Sequence, residues 1–238
     1  MRLSKRIYKI AEKISPGETA ADIGTDHGYV PMLLMRGSIS PHVIMSDISE
    51  GSLAKAKETF AICALDAEPD CFRVGDGLET VDAGEVDAVI IGGLGGLTII
   101  DILSADPEKS RSFRKLVLQP RKHSGNLRHF LYTHGWDITD EDLAPEGKFV
   151  CEVITAVPAG VKVRDELIPA DDIRWKYPAE MVKADPELAR RRIGWKISSL
   201  EEQIDNLRSS PADRSDKIAS LESDLRYLQD LYEDGDHE

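Results

Sequence analysis

The sequence predicts an α/β fold: a mostly parallel seven-stranded sheet with helices on both faces, then a C-terminal α-helical coiled-coil hairpin. Three observations predict it. Short apolar runs alternate with stretches of helical periodicity over the first two-thirds of the chain, the pattern of a parallel sheet with crossover helices. The last two extended runs are joined only by a short polar link, which suits an antiparallel pair at the sheet edge. Beyond them, two heptad stripes flank a proline-containing turn.

Taken in order, Leu3, Ile7, Ile10, Ala11 and Ile14 share one helical face, and Ser15-Pro16-Gly17 stops that helix. Thr19–Gly24 reads as a strand entering a glycine turn. Val43–Asp47, Phe72–Val74, Val86–Ile91 and Leu116–Leu118 read as four more strands, and Trp136–Leu143 with Phe149–Val157 as the closing pair. Helical patterns at Val30–Arg36, Ser52–Leu65, Leu97–Leu103 and Asn126–His134 separate the earlier strands. After about Pro158, prolines 169, 178 and 186 punctuate a polar stretch of linker and short helices. Ile193, Ile197, Leu200, Ile204 and Leu207 then recur at heptad spacing, as do Ile218, Leu221, Leu225, Leu228 and Tyr232 beyond Ser209–Asp213. Two domains are expected, residues 1–158 and 159–238.

A chain of 238 residues holds one catalytic domain and an appendage, and needs no disulfides to fold. Cys63, Cys71 and Cys151 are odd in number and form no C-x-x-C pair, so neither a disulfide framework nor a metal site is expected. No signal-peptide pattern and no bilayer-length apolar run is present, so a cytoplasmic protein without a membrane partner is expected. The net charge of -13 argues against indiscriminate nucleic-acid binding. The cations are nevertheless clustered. Seven Lys and Arg and no acid lie between Lys109 and Trp136; Arg2, Lys5, Arg6, Lys9 and Lys13 open the chain; Arg190–Arg192 stand near Lys196. Such islands are either solvated faces or a focused contact with an anionic partner.

The most informative segment is Asp22-Ile-Gly24-Thr25-Asp26-His27-Gly28-Tyr29. A strand delivers the chain into a turn where backbone approaches a ligand, and a helix with free N–H groups begins near Gly28. Dinucleotide sites use G-x-G-x-x-G so that a pyrophosphate lies on the helix N-terminus. Here Asp26 would repel a pyrophosphate. A cationic ligand suits the turn better, and S-adenosylmethionine, with a sulfonium and an ammonium, is the expected cofactor. Asp47, beside Ile48, ends the second strand where a carboxylate accepts both ribose hydroxyls. Asp76 and Gly77 follow the third strand, the place for an adenine contact. Gly92 and Gly93 in Gly92-Gly-Leu-Gly-Gly96 follow the fourth, where donor and acceptor would meet. All four motifs stand at carboxyl ends of strands, the siting rule for ligands in open α/β sheets.

The chain resembles the bacterial tRNA (adenine(22)-N(1))-methyltransferase family. The resemblance spans most of the chain and rests on Leu3-Ser-Lys-Arg6, Asp22-Ile-Gly-Thr-Asp-His27, Asp76-Gly-Leu78, Gly92–Gly96, Leu118-Gln-Pro120, Leu127-Arg128 and Gly147-Lys-Phe149. It departs from the family at Leu94, more often methionine, at Cys151, more often tyrosine, and at Gly51-Ser52, usually Gly-Pro. The resemblance implies a class I Rossmann-like methyltransferase domain carrying a coiled-coil domain, with tRNA as partner and methyl transfer to adenine N1 as the reaction.

That nitrogen keeps a lone pair in the neutral base, so alignment and charge stabilisation matter more than a strong base. Asp26 is the candidate acceptor from the exocyclic amino group; its other role would be to hold the cofactor ammonium or to cap the helix at Gly28. Tyr29 either stacks on an extruded base or packs. His27 either touches the cofactor carboxylate or satisfies a backbone group. Pro120 either shapes the acceptor pocket or ends a strand. Asp22, Gly24, Thr25 and Gly28 complete the cofactor set, and Arg6, Arg121, Lys122 and Arg128 are candidates for RNA phosphates. A methyltransferase acting on a small molecule or another RNA, and a non-catalytic RNA-binding protein, are the alternatives.

Overall fold

The computed structural model describes residues 3–159, 168–209 and 214–234; Arg2 and most of the turn expected at Ser209–Asp213 lie outside them. Helix α1 (Lys5–Ala11) precedes β1 (Ala20–Ile23), α2 (Tyr29–Arg36), β2 (Val43–Asp47), α3 (Glu50–Ile62), β3 (Phe72–Val74), β4 (Ala88–Leu94), α4 (Gly96–Ala105), α5 (Pro107–Ser112), β5 (Lys115–Pro120), α6 (Ser124–Thr133), β6 (Trp136–Glu146) and β7 (Phe149–Pro158). The C-terminal part comprises α7 (Ile173–Lys176), α8 (Ala179–Ala184), α9 (Pro186–Arg208) and α10 (Ser215–Asp234).

The seven strands form one sheet in the order β3-β2-β1-β4-β5-β7-β6. The first five are parallel, and β7 runs antiparallel to both β5 and β6. This is the class I Rossmann-like methyltransferase architecture. Residues 43–46 of β2, 88–91 of β4 and 116–118 of β5 are buried without alternation, because helices cover both faces. The order of the sheet changes direction between β1 and β4, so their carboxyl ends open a crevice at the switch point.

One core packs Ile44, Val89, Ile91, Phe113, Leu116, Leu118 and Trp136 on one face of the sheet, and another packs α1 and α2 against Ala20, Ile90 and Val117. A further cluster joins Ile193, Leu200 and Ile204 of α9 to Leu221, Leu228 and Leu231 of α10, and includes Leu143 of β6. The heptad positions thus pair within the chain, and an Arg208–Glu222 bridge links the two helices. No helix of the described residues is long and apolar enough to cross a membrane.

Candidate functional site

At the end of β1, the amides of Gly24 and Thr25 both donate to the Ser46 carbonyl, at 2.8 and 3.0 Å, fixing the turn against β2. Gly28 then opens α2 at φ +65°, and a Cβ there would stand 3.0 Å from that of Ala56. Both facts require glycine. Asp22 is buried beneath the turn and accepts a 2.7 Å bond from the Thr25 hydroxyl. Burial pushes its carboxyl up to about 6; the Thr25 bond opposes this, Asp47 adds to it, and Arg6 pulls it down.

Asp47 accepts from the amides of Ser49 at 2.9 Å and Asp26 at 3.3 Å. Its neighbour Ile48 is 70 % exposed. The amide of Gly75 donates to the Asp47 carbonyl at 3.2 Å, setting Asp76 at the start of a single 3-10 turn, Gly77–Thr80. On the other side of the switch point, the Gln119 side-chain oxygen accepts from the Gly93 amide and from Arg6, both at 3.1 Å. Arg6 also pairs with Glu146 at 2.9 Å.

These groups converge on one cleft of about 930 Å³. Of the sequence-predicted residues, Arg6, Asp22, Gly24, Thr25, Asp26, His27, Tyr29, Asp47, Ile48, Asp76, Gly77, Gly92, Gly93 and Arg121 line it. Gly28 lies buried behind them. The rings of His27 and Tyr29 stack in parallel, centroids 5.0 Å apart. Asp26 sits at φ +46° with its carboxylate 2.8 Å from the Lys55 ammonium of α3, on the β2 side of the cleft.

The structure corrects one expectation and sharpens two others. Arg128 does not face RNA phosphates. Its side chain is 3 % exposed and bonded at 2.6 Å to each of Glu141 and Glu152, with a further 3.1 Å bond to the Trp175 carbonyl. Burial opposes its charge, but the two carboxylates outweigh burial and raise its pKa. Of the two readings of Pro120, the strand end holds: it is the buried last residue of β5, opposite Leu94, and lines a second cavity beside the cleft together with Lys122. The glycine cluster serves packing as well as approach: a Cβ on Gly92 would press on Ile10 at 3.2 Å, while Gly93, at φ +81°, faces the arginines.

Sequence reasoning assigned no role to Gln119, which ties Gly93 to Arg6; the Leu-Gln-Pro string was its only signal. It also missed Lys55, one of two lysines on α3.

Residues 3–154 match the family model of a methyltransferase domain. The chain belongs to that family. Among curated methyltransferases, the tRNA (adenine(22)-N(1))-methyltransferase of Bacillus subtilis (strain 168) is 35% identical over 156 residues, covering 66% of this chain and 65% of that protein. The match therefore spans just under two-thirds of the relative's length. The crystal structure of the B. subtilis M1A22 tRNA methyltransferase TrmK superposes with a TM-score of 0.77 at 26% identity, over 97% of this chain and 99% of that one. Streptococcus pneumoniae Sp1610, in complex with S-adenosyl-L-methionine, shares the methyltransferase fold with a TM-score of 0.79 at 20% identity, over 97% of this chain and 100% of that one.

Proposed function

We propose that this methyltransferase transfers a methyl group from S-adenosylmethionine to N1 of an adenine in tRNA, adenosine 22 being the expected position. The observation that carries the reading is the set of carboxylates, Asp22, Asp47 and Asp76, at the ends of β1, β2 and β3 around one glycine turn. A pyrophosphate would meet repulsion there, whereas an ammonium and a sulfonium meet attraction. The donor set thus fits S-adenosylmethionine, which supplies an electrophilic methyl carbon when bound. Family membership supports methyl transfer, and the tRNA methyltransferases among its relatives support the substrate.

Asp47 would accept from the ribose hydroxyls, Ile48 would cover the adenine ring, and Asp76 would accept from its amino group. Gly93, held by Gln119, leaves space for the acceptor between Arg6 and Arg121. The stacked His27–Tyr29 pair offers a flat face for the acceptor base. Asp26 points to Lys55 beside Asp47, so we assign it to holding the donor rather than the acceptor amino group. Asp26→Ala then raises the donor KM about tenfold, the worth of one charge-assisted hydrogen bond, with kcat at saturating donor nearly unchanged. A collapse of kcat would return Asp26 to the acceptor. Residues 1–158 would form the catalytic unit of a cytoplasmic enzyme and residues 159–238 a helical, coiled-coil unit.

Burial of Asp22 sets a pH dependence. A cationic donor favours the ionised carboxyl, so affinity is full above about 6 and falls by up to about tenfold per pH unit below it. Without donor the sign reverses: a carboxyl raised above 3.8 costs stability as it ionises, so the free protein weakens as pH rises from 3.8 to about 6. Calorimetric titration across that range measures the affinity and urea unfolding of the free protein its stability, and a pH-independent affinity would refute the linkage.

The deciding experiment offers labelled S-adenosylmethionine with total tRNA and, separately, a metabolite pool. Label in N1-methyladenosine at position 22 is the expected result. Label only in metabolites, or no affinity for the donor, would overturn the reading.

A further inference from the structure

We infer that the second cavity is a nucleotide site for substrate RNA: a base flanking the target adenine stacks on Phe149, and its phosphate is held by Arg121, Lys122 and Lys176. The inference rests on the RNA reading above and adds a site to it. The cavity measures about 920 Å³ and lies between the β5–α6 loop, the β6–β7 hairpin and helices α7 and α9. Arg121 lines both this cavity and the cleft, so the two adjoin beside Gly93, where the acceptor would enter.

Phe149 begins β7 with 61 % of its surface exposed, an uncommon cost for a phenylalanine in a paired strand. An exposed ring beside cations is the arrangement by which unpaired bases are held without regard to sequence. Charge selects the occupant. Four carboxylates reach the cavity, and three are already neutralised: Glu146 by Arg6, Glu152 by Arg128 and Arg192, and Asp172 by Arg174. Exposed Asp171 remains against Arg121, Lys122 and Lys176, none of which has a carboxylate within ion-pair distance among the described residues. Lys176 is moreover partly desolvated and crowded by Lys196 and Arg192, which lowers its pKa; a phosphate would relieve that repulsion. The framework is held closely, because Arg128 bonds the Trp175 carbonyl next to Lys176, and Gly125 packs so near the Lys176 backbone that a Cβ there would press on it at 3.2 Å.

The test uses the full chain with unmodified tRNA, measuring tRNA affinity, tRNA KM and donor affinity. Phe149→Ala, a surface change that spares the fold, should weaken tRNA binding about tenfold, the effect of losing one stacked base, and Phe149→Trp should restore it. Lys122→Ala should lower the slope of log affinity against log salt by about 1. Donor affinity should not move in any of them. If the wild type methylates tRNA while Phe149→Ala and Lys122→Ala bind it as tightly as wild type, the inference is overturned and the cavity is left to a protein segment. If the wild type neither binds nor methylates tRNA, the RNA reading and this inference fall together.

Discussion

Arg128→Ala should lower the free energy of unfolding by about 3–5 kcal/mol, as expected for breaking a buried ion pair from one side. The guanidinium is the shared partner of Glu141 and Glu152 and bonds the Trp175 carbonyl, while Glu152 also pairs with Arg192 of α9 at 2.5 Å. One residue of α6 therefore joins the β6–β7 hairpin to the C-terminal helices. Its loss leaves two buried carboxylates short of a partner. Arg128→Lys should rescue little, since an ammonium cannot span three acceptors in a plane. Glu141→Gln should cost much less, on the order of 1 kcal/mol, because burial already raises that carboxyl despite Arg128. Urea unfolding of the full chain measures all three. Equal stability of Arg128→Ala and wild type would refute the network's role.

The same network has a signed pH dependence. Burial pushes the Glu152 carboxyl up, but Arg128 and Arg192 more than offset it and hold it at about 2, below the ordinary 4.5. A carboxyl lowered on folding contributes stability that is present above 4.5 and lost as pH falls towards 2. Stability should therefore drop through that window, and the drop should shrink in Glu152→Gln.

The fold was legible where one short run carried its own signal. Val43–Asp47 is a strand with the expected bounds, because a run of residues buried on both faces needs no pairing partner to be recognised; Phe72–Val74, a part-exposed edge strand, keeps its expected bounds through its aromatic and β-branched residues. Strand β4 runs on through Gly92-Gly93-Leu94 and β5 through Gln119-Pro120, residues with little strand preference. There the two strands pair across a register shift, and tertiary pairing overrides propensity. Helix α5 carries no apolar stripe, and its only sequence signal is its start, where Asp106 caps it and Pro107 occupies its first turn. The acidic cleft was legible because each strand end contributes locally. The role of Arg128 was not: its carboxylates lie 13 and 24 residues away on a hairpin, and in the sequence it looks like one more cation in a basic island.

The last glycine of Gly92–Gly96 has a packing purpose. The amide of Gly96 donates to the Lys122 carbonyl at 2.8 Å, so α4 begins against the loop that carries Arg121 and Lys122. A Cβ at this position would stand 2.4 Å from the His123 carbonyl oxygen and 2.8 Å from that of Lys122. Both are backbone atoms, and the Arg121 amide is itself bonded to the Leu94 carbonyl at 2.8 Å, so the loop cannot yield without breaking that pairing. Gly96→Ala should therefore cost about 3 kcal/mol, the upper range for overpacking, and displace Arg121 from its place between the two cavities. Methyl transfer should fall by more than the donor affinity does, because Asp22, Asp47 and Asp76 lie across the switch point from the displaced loop. Gly95→Ala provides the contrast: at φ -70° its Cβ would meet only the Thr98 hydroxyl at 3.6 Å, ordinary contact. If the two variants lose stability and turnover equally, the close approach at Gly96 is not what the glycine is for.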